Sequence, residues 1–559
     1  MEKRWELKKV NSTLVPKLME DLGVNEIIAQ LLALRGINNF DAAKCFFRPE
    51  LSHLYDPFLM KNMRKAVTRL ELAINQNENI LIYGDYDVDG TTSVAMLYSF
   101  LKKYTQNIKY YVPCRYDEGY GISLKGIDYA SKKNISLIIA LDCGIRAVKQ
   151  IDYANEKAID VIICDHHNPA DKVPNAIAIL NPKQSDCNYP YKELSGCGVG
   201  FKLIQAYCIN NMISFNEIIE YLDLVTVSIA ADIVPMDGEN RVLAFYGLKQ
   251  INSNPRAGLQ ALIDTAARKN ELNMSDIAFG IAPRINAAGR IDHAKKAVEI
   301  LVEENYDYAR LFADAIEKNN KDRKDLDKSI TKQAIQMVSE NKKSIVVFSA
   351  DWHKGVVGIV ASRLVEVFYK PTIVLVENDG MLTGSARSVH NFDIYKAISK
   401  YSHLCEKFGG HKYAAGLSIK KENIQPFIDG FETEVSETIQ EHQLQPRIEV
   451  DLEIDINDID YKLFRIIKQF GPFGPLNSSP VFISKGLIDN GTARKLGADK
   501  SHLKINIKNN GGVISGIGFR MGDLFDKVKE GQEFDICYSI AENEWNGKKN
   551  LQVILIDIK

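Results

Sequence analysis

Residues 80–90 are Ile-Leu-Ile-Tyr-Gly-Asp-Tyr-Asp-Val-Asp-Gly, a short apolar run followed at once by Asp85, Asp87 and Asp89. The apolar run is typical of a strand that is buried on both faces of a parallel sheet. If the chain stays extended beyond it, the three carboxylates point to one side, and the following glycine allows a sharp turn into a helix from Thr91. This stretch therefore predicts carboxylates gathered at the end of a strand.

Three further polar clusters follow apolar runs: Asp142 after 137–141, Asp165-His166-His167 after 161–164, and Asp232 after 227–231. In open parallel sheets, ligands bind at the carboxyl ends of the strands. Carboxylates that meet there repel one another and are costly to desolvate unless divalent cations neutralise them. The four clusters together therefore predict a metal site.

Each cluster taken alone has a plainer interpretation. The aspartate-rich stretch is like a calcium loop, although Tyr98, Ser99 and Phe100 stand where the later ligands of such a loop belong. An aspartate before glycine usually forms a turn, adjacent histidines are often surface residues, and Asp232 alone is as well explained by a structural role. Together the clusters supply ligands for two cations ~3.5–4 Å apart that share one carboxylate. Such a pair activates water and stabilises the leaving oxygen in phosphoester hydrolysis.

The composition sets the class of protein. With 559 residues, 45% hydrophobic and 25% charged, the chain suits a globular protein of about three or four domains. Its formal net charge of -2 gives no overall basic character, so nucleic-acid binding must come from a local groove. The nine cysteines include no CxxC pair, which indicates reduced thiols. No run approaches the ~18 apolar residues of a membrane span, and no signal peptide is visible, so we expect a cytoplasmic protein without a membrane segment.

The pattern along the chain predicts five segments. They are a helical cap at 1–75, an α/β catalytic domain at 76–295, one or two long connecting helices at 296–343, a smaller α/β domain at 344–440 and a β-barrel at 447–559. The second segment alternates strand and helix signals, as in a doubly wound parallel sheet. The last alternates apolar and polar residues in short strands with an Asn546-Gly547 turn, as in a small barrel.

The stretch at 84–90 with Asp165-His166-His167 resembles the DHH phosphoesterase superfamily. Longer motifs resemble its RecJ family: PCRYDEGYG at 113–121, LSGCGVGFK at 194–202, PRINAAGR at 283–290 and WHKGVVGIVASRL at 352–364. GSARS at 384–388 and FGGH at 408–411 are similar to the DHHA1 lobe of that family, and GPFG at 471–474 to the start of its OB-fold. The resemblance implies an α/β fold in which a DHH-type parallel-sheet lobe is joined by a long helix to a smaller α/β DHHA1 lobe, with a C-terminal OB-type β-barrel.

The resemblance also implies roles for particular residues. Two Mn²⁺ or Mg²⁺ ions would be held by Asp85, Asp87, Asp89, Asp142, His166 and Asp232. Asp142 would bridge the ions and His167 would contact or protonate the scissile phosphate. Substrate phosphates would be bound by Arg115, Arg284, Arg363, Ser385, Arg387 and His411, although surface salt bridges are the ordinary alternative for any one arginine. Bases and phosphates of single-stranded DNA would be contacted by Phe473, His502, Lys504 and Trp545.

The expected activity is a metal-dependent 5′-to-3′ exonuclease that acts on single-stranded DNA, releases mononucleotides and serves recombination and repair. A single-strand-binding protein and a helicase are the expected protein partners. The alternatives are a phosphodiesterase for oligonucleotides or cyclic dinucleotides, a pyrophosphatase of the same superfamily, and a DNA-binding relative that has lost its metals. The barrel and the connecting helix argue against the two small-substrate enzymes, and the filled ligand positions argue against the last. Two stretches, 227–230 and 476–478, depart from the usual family pattern.

Overall fold

The computed structural model describes residues 2–115, 117–267, 271–291, 294–509, 512–529, 531–545 and 547–559. The chain divides into two compact units, each of which is described by itself. The larger unit holds the described residues of 5–286, 294–313 and 449–559. The smaller unit holds those of 1–4, 287–293 and 314–448.

A five-stranded parallel sheet forms the centre of the larger unit. Its spatial order is Ile108–Tyr111, Ile80–Gly84, Leu137–Leu141, Asp160–Cys164 and Ala178–Leu180. The second and third of these strands are buried at every position, as expected when helices cover both faces of a sheet. In sequence numbering the order is 2-1-3-4-5, which places a topological switch point between those two buried strands. The predicted doubly wound parallel sheet is confirmed.

Helices pack on this sheet and, at 15–47 and 461–468, on the C-terminal part of the larger unit. Those of the larger unit are Val15–Leu22, Glu26–Ala33, Phe40–Phe47, Met63–Asn75, Val88–Leu101, Leu124–Lys132, Val148–Glu156, Gly196–Asn210, Leu222–Asp232, Gly238–Ser253, Ala257–Thr265, Met274–Asp276, Lys295–Val302 and Tyr461–Lys468, with a π-helical turn at Ile277–Ile281. The apolar run at 227–231 lies in the helix Leu222–Asp232, so Asp232 stands at the end of a helix and not of a strand. Two helices bring residues to one edge of the sheet, because Val88–Leu101 and Gly196–Asn210 both begin there.

The C-terminal part of the larger unit is a partly closed β-barrel. Its strands are Leu452–Glu453, Phe482–Asp489, Arg494–Leu496, His502–Asn509, Gly512–Gly518, Phe534–Trp545 and Lys548–Ile558. Five of them close a ring, because Phe482–Asp489 pairs with both Phe534–Trp545 and His502–Asn509. The predicted C-terminal barrel is confirmed, and Asn546 of the predicted turn lies outside the described residues. Apolar residues of 15–43 share the barrel's core, so this part of the predicted helical cap packs on the barrel.

The smaller unit is built on a mixed sheet with helices. The strand order is Cys405–His411, Ala414–Lys420, Met381–Arg387, Thr372–Asn378 and Ile345–Ser349, and only the last two strands are parallel to each other. The helices that lie wholly within this unit are Val357–Phe368, Ile394–Ser399 and Ile424–Thr438. Four elements contain residues of both units: Arg4–Leu7, Ala282–Ile291, Tyr306–Gln336 and Arg447–Val450.

The 31-residue helix Tyr306–Gln336 is the long connecting helix that the charged stretch predicts. The exact boundaries of the five predicted segments stay predictions. Among the described residues, no helix combines the length and the apolar character that crossing a membrane requires.

Candidate metal centre

Three aspartates follow directly after neighbouring strands of the parallel sheet. Asp85 comes after Ile80–Gly84, Asp142 after Leu137–Leu141 and Asp165 after Asp160–Cys164. All three are buried, and they lie at the carboxyl ends of the strands beside the switch point. Asp142 has a φ of 58°, a conformation that costs a non-glycine residue of order 1 kcal/mol and is common at functional sites.

The helix after the first strand begins earlier than the sequence predicts. It spans Val88–Leu101, so the chain does not stay extended to Asp89, and the predicted helix start at Thr91 is wrong. Asp87 caps the helix, with its Oδ1 accepting a hydrogen bond from Gly90 N at 3.0 Å. A Cβ atom on Gly90 would lie 2.4 Å from a backbone oxygen just beyond the preceding strand, so only glycine allows this tight start. The turn buries the carboxylate of Asp89 and does not align it with the carboxylates of Asp85 and Asp87.

His166 lies among three carboxylates. Its Nε2 atom is 3.2 Å from Asp142 Oδ1, 3.6 Å from Asp232 Oδ2 and 3.7 Å from Asp89 Oδ2. Ligand atoms of Asp89, His166 and Asp232 all lie within 4.8 Å of one another, and so do those of Asp142, His166 and His167. Four of the six predicted metal ligands therefore meet around one point, with His167, a further predicted catalytic residue, beside them.

Asp89 is held by partners from two other helices. Its carboxylate accepts hydrogen bonds at 2.7 Å from Gly196 N, Cys197 N and Ser228 Oγ. The two backbone donors open the helix Gly196–Asn210, whose positive end favours a carboxylate. Sequence reasoning missed these partners, although a Ser-Gly-Cys-Gly stretch that opens a helix is a recognisable anion-holding signal.

Several polar atoms of this cluster are buried without a partner. Among the described residues, those with no hydrogen bond include Asp85 Oδ2, both carboxylate oxygens of Asp142 and His166 Nε2. Buried polar atoms are almost always satisfied in folded proteins, so a group of oxygen and nitrogen acceptors left open in one place indicates a ligand. Carboxylate oxygen and imidazole nitrogen are ligand atoms that suit Mn²⁺, and carboxylate oxygens also suit Mg²⁺. The residues of this site fit such ions.

The electrostatics of the carboxylates point the same way. Burial, and then the charge of Asp87, holds the pKa of Asp85 well above its usual value. Burial and the charge of Asp89 do the same for the pKa of Asp142, and they also raise the pKa of Asp87. Partial burial and the charge of Asp89 raise the pKa of Asp232 to about 8. The carboxylates thus repel one another in a poorly solvated place, and divalent cations would remove that cost.

His167 is positioned from both sides of its ring. Its Nδ1 atom lies 2.7 Å from Asp165 Oδ1, and its Nε2 atom lies 3.2 Å from the hydroxyl oxygen of Tyr120. Asp165 also accepts hydrogen bonds from the backbone of His166 at 2.7 Å and of Ile145 at 2.9 Å, so it is itself firmly placed. Burial opposes a charge on His167, but the hydrogen bond to Asp165 outweighs this and raises the pKa of the imidazole.

Two predicted phosphate-binding arginines lie in the larger unit. The guanidinium of Arg115 stacks on the Tyr86 ring, 4.2 Å from its centroid, and its charge acts to lower the pKa of Asp85. Arg284 is buried in the helix Ala282–Ile291 and donates a hydrogen bond to Gly280 O at 2.6 Å. Arg115 therefore lies where its charge reaches the metal-site carboxylates.

Of the four predicted residues of the smaller unit, Arg387 and His411 lie in one row across its sheet, Ser385 lies beside that row, and Arg363 lies apart. Arg387 pairs across the sheet with Ala414, which pairs with His411, while Ser385 lies two residues from Arg387 on the same strand face. Arg387 donates hydrogen bonds to Ser385 Oγ at 2.6 Å and to a backbone oxygen. Arg363 instead bonds the buried Asp327 at 2.7 Å, the ordinary salt bridge that is the alternative for an arginine.

The four residues predicted to contact DNA on the barrel do not all lie together. His502 and Lys504 are two residues apart on one strand, so their side chains share a face. Lys504 pairs across the sheet with Arg494. The ring of Phe473 is half-buried against the barrel core, and the side chain of Trp545 lies outside the described residues. Phe519, 56% exposed and in edge contact with His502, is an aromatic residue beside them that sequence reasoning missed.

Known protein families match along most of the chain. The DHH family N-terminal domain matches residues 79–229, the DHHA1 domain residues 341–437 and the RecJ OB domain residues 450–557. The single-stranded-DNA-specific exonuclease RecJ of Bacillus subtilis is 37% identical over 562 residues, which cover 99% of this chain and 70% of that protein. The chain belongs to the RecJ family.

Other RecJ proteins agree with this assignment. The RecJ exonuclease of Escherichia coli is 32% identical over 525 residues, covering 89% of this chain and 90% of that protein. The crystal structure of RecJ from Thermus thermophilus in complex with Mn²⁺ aligns with a TM-score of 0.86 and 26% identity, over all of this chain and 79% of that one. The DHH, DHHA1 and OB architecture expected from the sequence is thereby confirmed, and a RecJ relative holds the ion type that this site fits.

Proposed function

We propose that this RecJ-family chain is a metal-dependent exonuclease that degrades single-stranded DNA from its 5′ end, releases mononucleotides and serves recombination and repair. The observation that carries the proposal is the group of open carboxylate and imidazole atoms around His166 at the switch point of the parallel sheet. Its relatives named as single-stranded-DNA-specific exonucleases support the substrate. The direction of digestion and the mononucleotide product rest on family resemblance.

The residues that would hold two Mn²⁺ or Mg²⁺ ions are Asp85, Asp87, Asp89, Asp142, His166 and Asp232. When bound, the ions supply an activated water and charge stabilisation for the leaving oxygen. Asp142 suits the bridging position, because the charges of the surrounding aspartates act on it and both of its carboxylate oxygens are open. Asp89 suits a position against one ion, because hydrogen bonds at 2.7 Å from Gly196, Cys197 and Ser228 fix the direction of its carboxylate.

His167 would act on the scissile phosphate. The contact from Nδ1 to Asp165 places a proton on Nδ1 and fixes the ring, since a carboxylate can only accept there. The raised pKa of His167 favours a second proton on Nε2. That atom would then donate to a phosphate oxygen or to the leaving group. In this proposal His167, Asp142 and His166 are the catalytic residues.

A phosphate of the strand would bind on the sheet of the smaller unit. Arg387 and Ser385 lie beside the start of the helix Val357–Phe368, where a Cβ atom on Gly358 would lie 3.1 Å from the Arg387 guanidinium. A helix start and an arginine together favour an anion. The partners that Arg387 bonds, Ser385 Oγ and a backbone oxygen, are uncharged, so its charge is available to a phosphate. His411 lies at the end of the same row of residues.

The remaining predicted residues would contact other parts of the single-stranded DNA. Arg115 and Arg284 would bind further phosphates in the larger unit, whereas Arg363 would first have to leave Asp327. His502 and Lys504, with Phe473 and Trp545, would contact DNA on the barrel, where aromatic rings stack bases and cations neutralise phosphates. A cytoplasmic location, and delivery of the substrate by a single-strand-binding protein and a helicase, are part of the same proposal.

The second candidate is a phosphodiesterase for oligonucleotides or cyclic dinucleotides, which would use the same metal site. The barrel disfavours it, because a short substrate does not need a further surface of basic and aromatic residues. The two activities are distinguished by the substrate that is turned over.

The test is a digestion in Mn²⁺ of long single-stranded DNA that carries a label at its 5′ or its 3′ end, beside the matching duplex and a dinucleotide. The proposal predicts immediate release of a labelled mononucleotide from the 5′ end alone, little action on the duplex and none in EDTA. Release from the 3′ end would overturn the direction. Turnover of the dinucleotide with an intact long strand would overturn the substrate.

A further inference from the structure

Tyr120 is a half-exposed residue next to the catalytic histidine, and it was not among the expected site residues. Its hydroxyl oxygen lies 3.2 Å from His167 Nε2 and 3.3 Å from the backbone oxygen of Asp142. Its ring meets the rings of His167 and Tyr86 edge to face, with centroids 5.8 and 5.9 Å away. The residue therefore touches both the proposed bridging aspartate and the residue proposed to act on the phosphate.

The backbone fixes Tyr120 in this place. The next residue, Gly121, donates its N–H to Asp85 Oδ1 at 3.1 Å and accepts a hydrogen bond from the Tyr83 hydroxyl at 3.1 Å. Gly121 has a φ of 83°, which suits glycine and turns the chain sharply at this point. The loop is thus attached to the strand that ends in the metal-site carboxylates, and the tyrosine hydroxyl is placed by the same framework.

The Tyr120 hydroxyl contacts one group that would meet the substrate, His167 Nε2, and one that would not, the backbone oxygen of Asp142. Asp165 holds Nδ1 of the His167 ring, so Nε2 is the one ring nitrogen left to meet a substrate, and Tyr120 is the partner that it has in the described structure. The Asp142 backbone oxygen is a second partner for the same hydroxyl. When a phosphate oxygen takes the position at Nε2, the hydroxyl can keep its bond to Asp142, so neither group loses its last partner.

We propose that Tyr120 is a positioning residue whose hydroxyl holds the place of a substrate phosphate oxygen at His167 Nε2. It keeps the imidazole ring oriented before the phosphate arrives, together with Asp165 on the other side. The reaction then begins from a ring that needs no rearrangement. This inference rests on the proposed function, since it takes His167 as the group that meets the scissile phosphate.

The first arm of the test is a double-mutant cycle on single-stranded DNA in Mn²⁺. Tyr120→Phe keeps the ring and removes the hydroxyl, and we expect kcat to fall about tenfold with KM little changed, the effect of one lost hydrogen bond. In a His167→Ala background the same substitution should have no further effect, because the group it acts through is gone. Tyr308→Phe, at an exposed tyrosine with no role proposed for it, is the matched control.

An equal fall of kcat in both backgrounds, or a change in KM alone, would overturn the inference. So would an unchanged kcat for Tyr120→Phe. Thermal unfolding of each variant shows whether it folds, and the conservative loss of one oxygen atom is chosen so that it does.

The second arm does not depend on DNA cleavage. The Mn²⁺-loaded protein is treated with diethyl pyrocarbonate, which acylates free imidazole nitrogen, and modification of His167 is followed by mass spectrometry of its peptide. Removing the hydroxyl should speed modification about three- to tenfold, the range that one lost hydrogen bond allows. Equal rates in the wild type and Tyr120→Phe would overturn the inference. If the wild type cut no DNA, the proposed function would fail while this arm still decided the role of Tyr120.

Discussion

Two groups of buried charged side chains in the larger unit differ in whether their charges are satisfied by partners. Lys202 and Glu239 form a pair at 2.6 Å, both fully buried. Further hydrogen bonds from Tyr55 and Tyr189 to Glu239, and from Lys202 to Gln205, satisfy the pair. In the metal centre, by contrast, carboxylates meet carboxylates and several acceptor atoms stay open. A satisfied buried charge indicates a structural role, whereas an unsatisfied group of like charges indicates a site for a ligand.

The contrast should be greatest for Asp142→Ala, which removes a buried carboxylate with both oxygens open, the one proposed to bridge the ions. We expect cleavage of single-stranded DNA to fall about a thousandfold or more, because the ions lose their proposed bridge. DNA affinity should stay close to that of the wild type, because the variant leaves the proposed phosphate-binding arginines unchanged. The measurements are kcat with end-labelled DNA and a filter-binding titration.

Asp186→Asn is the control for Asp142→Ala, since Asp186 is an exposed aspartate paired with Lys61. It should leave cleavage unchanged. A DNA-binding protein without catalysis would show no loss of function in either variant, which would contradict the proposed function.

The buried pair should respond through stability instead. Lys202→Met leaves Glu239 as an uncompensated buried charge, and we expect the free energy of unfolding to fall by about 3–5 kcal/mol. The measurement is urea-induced unfolding. Changing Glu239→Gln as well should recover much of the loss, because the amide keeps an acceptor oxygen without the charge. A small effect of the single variant would contradict a structural role for the Lys202–Glu239 pair.

Removing the metal ions should destabilise the protein, because the carboxylates of the metal centre would then repel one another without compensation. At a free Mn²⁺ concentration about 100 times the dissociation constant, one bound ion adds about 2.7 kcal/mol to the free energy of unfolding. We expect EDTA to remove this increment from the wild type. Asp142→Ala should show little difference between Mn²⁺ and EDTA in the same unfolding experiment, and an undiminished increment would place the ion elsewhere.

The smallest expected effect is that of Ser228→Ala. Ser228 donates a hydrogen bond to buried Asp89 at 2.7 Å, and such supporting partners are worth about 10–100-fold in metal affinity. We expect the Mn²⁺ concentration for half-maximal activity to rise about tenfold, with kcat at saturating metal nearly unchanged. Ser253→Ala, at a serine that bonds only its own helix turn, is the control. A fall in kcat at saturating metal would indicate a different role for Ser228.

The sequence was sufficient for the strands and their ends. Buried parallel strands leave a plain signal of continuous apolar residues, and Asp85, Asp142 and the Asp165-His166-His167 cluster are each attached directly to one. The family motifs then supplied the order of the lobes and the expected ligands. These are local features, which a chain displays before it folds.

The sequence was insufficient where distant segments meet. The start of the helix at Val88 depends on a close approach of Gly90 to the backbone of Asp85, which alternation of aspartates does not reveal. Ser228 is 139 residues from Asp89 along the chain, and Asp327 is 36 residues from Arg363. No short-range pattern encodes such partners, so the role of Ser228 and the ion pair of Arg363 became visible only in the fold.

The most direct test of the account is a calorimetric titration of Mn²⁺ into the metal-free protein. We expect two ions per chain for the wild type and for Asp186→Asn, and weakened binding with a lower stoichiometry for Asp142→Ala. Equal stoichiometry and affinity in all three proteins would contradict it. In that case the open carboxylates at the switch point of the sheet would not be the place where the chain holds its metal.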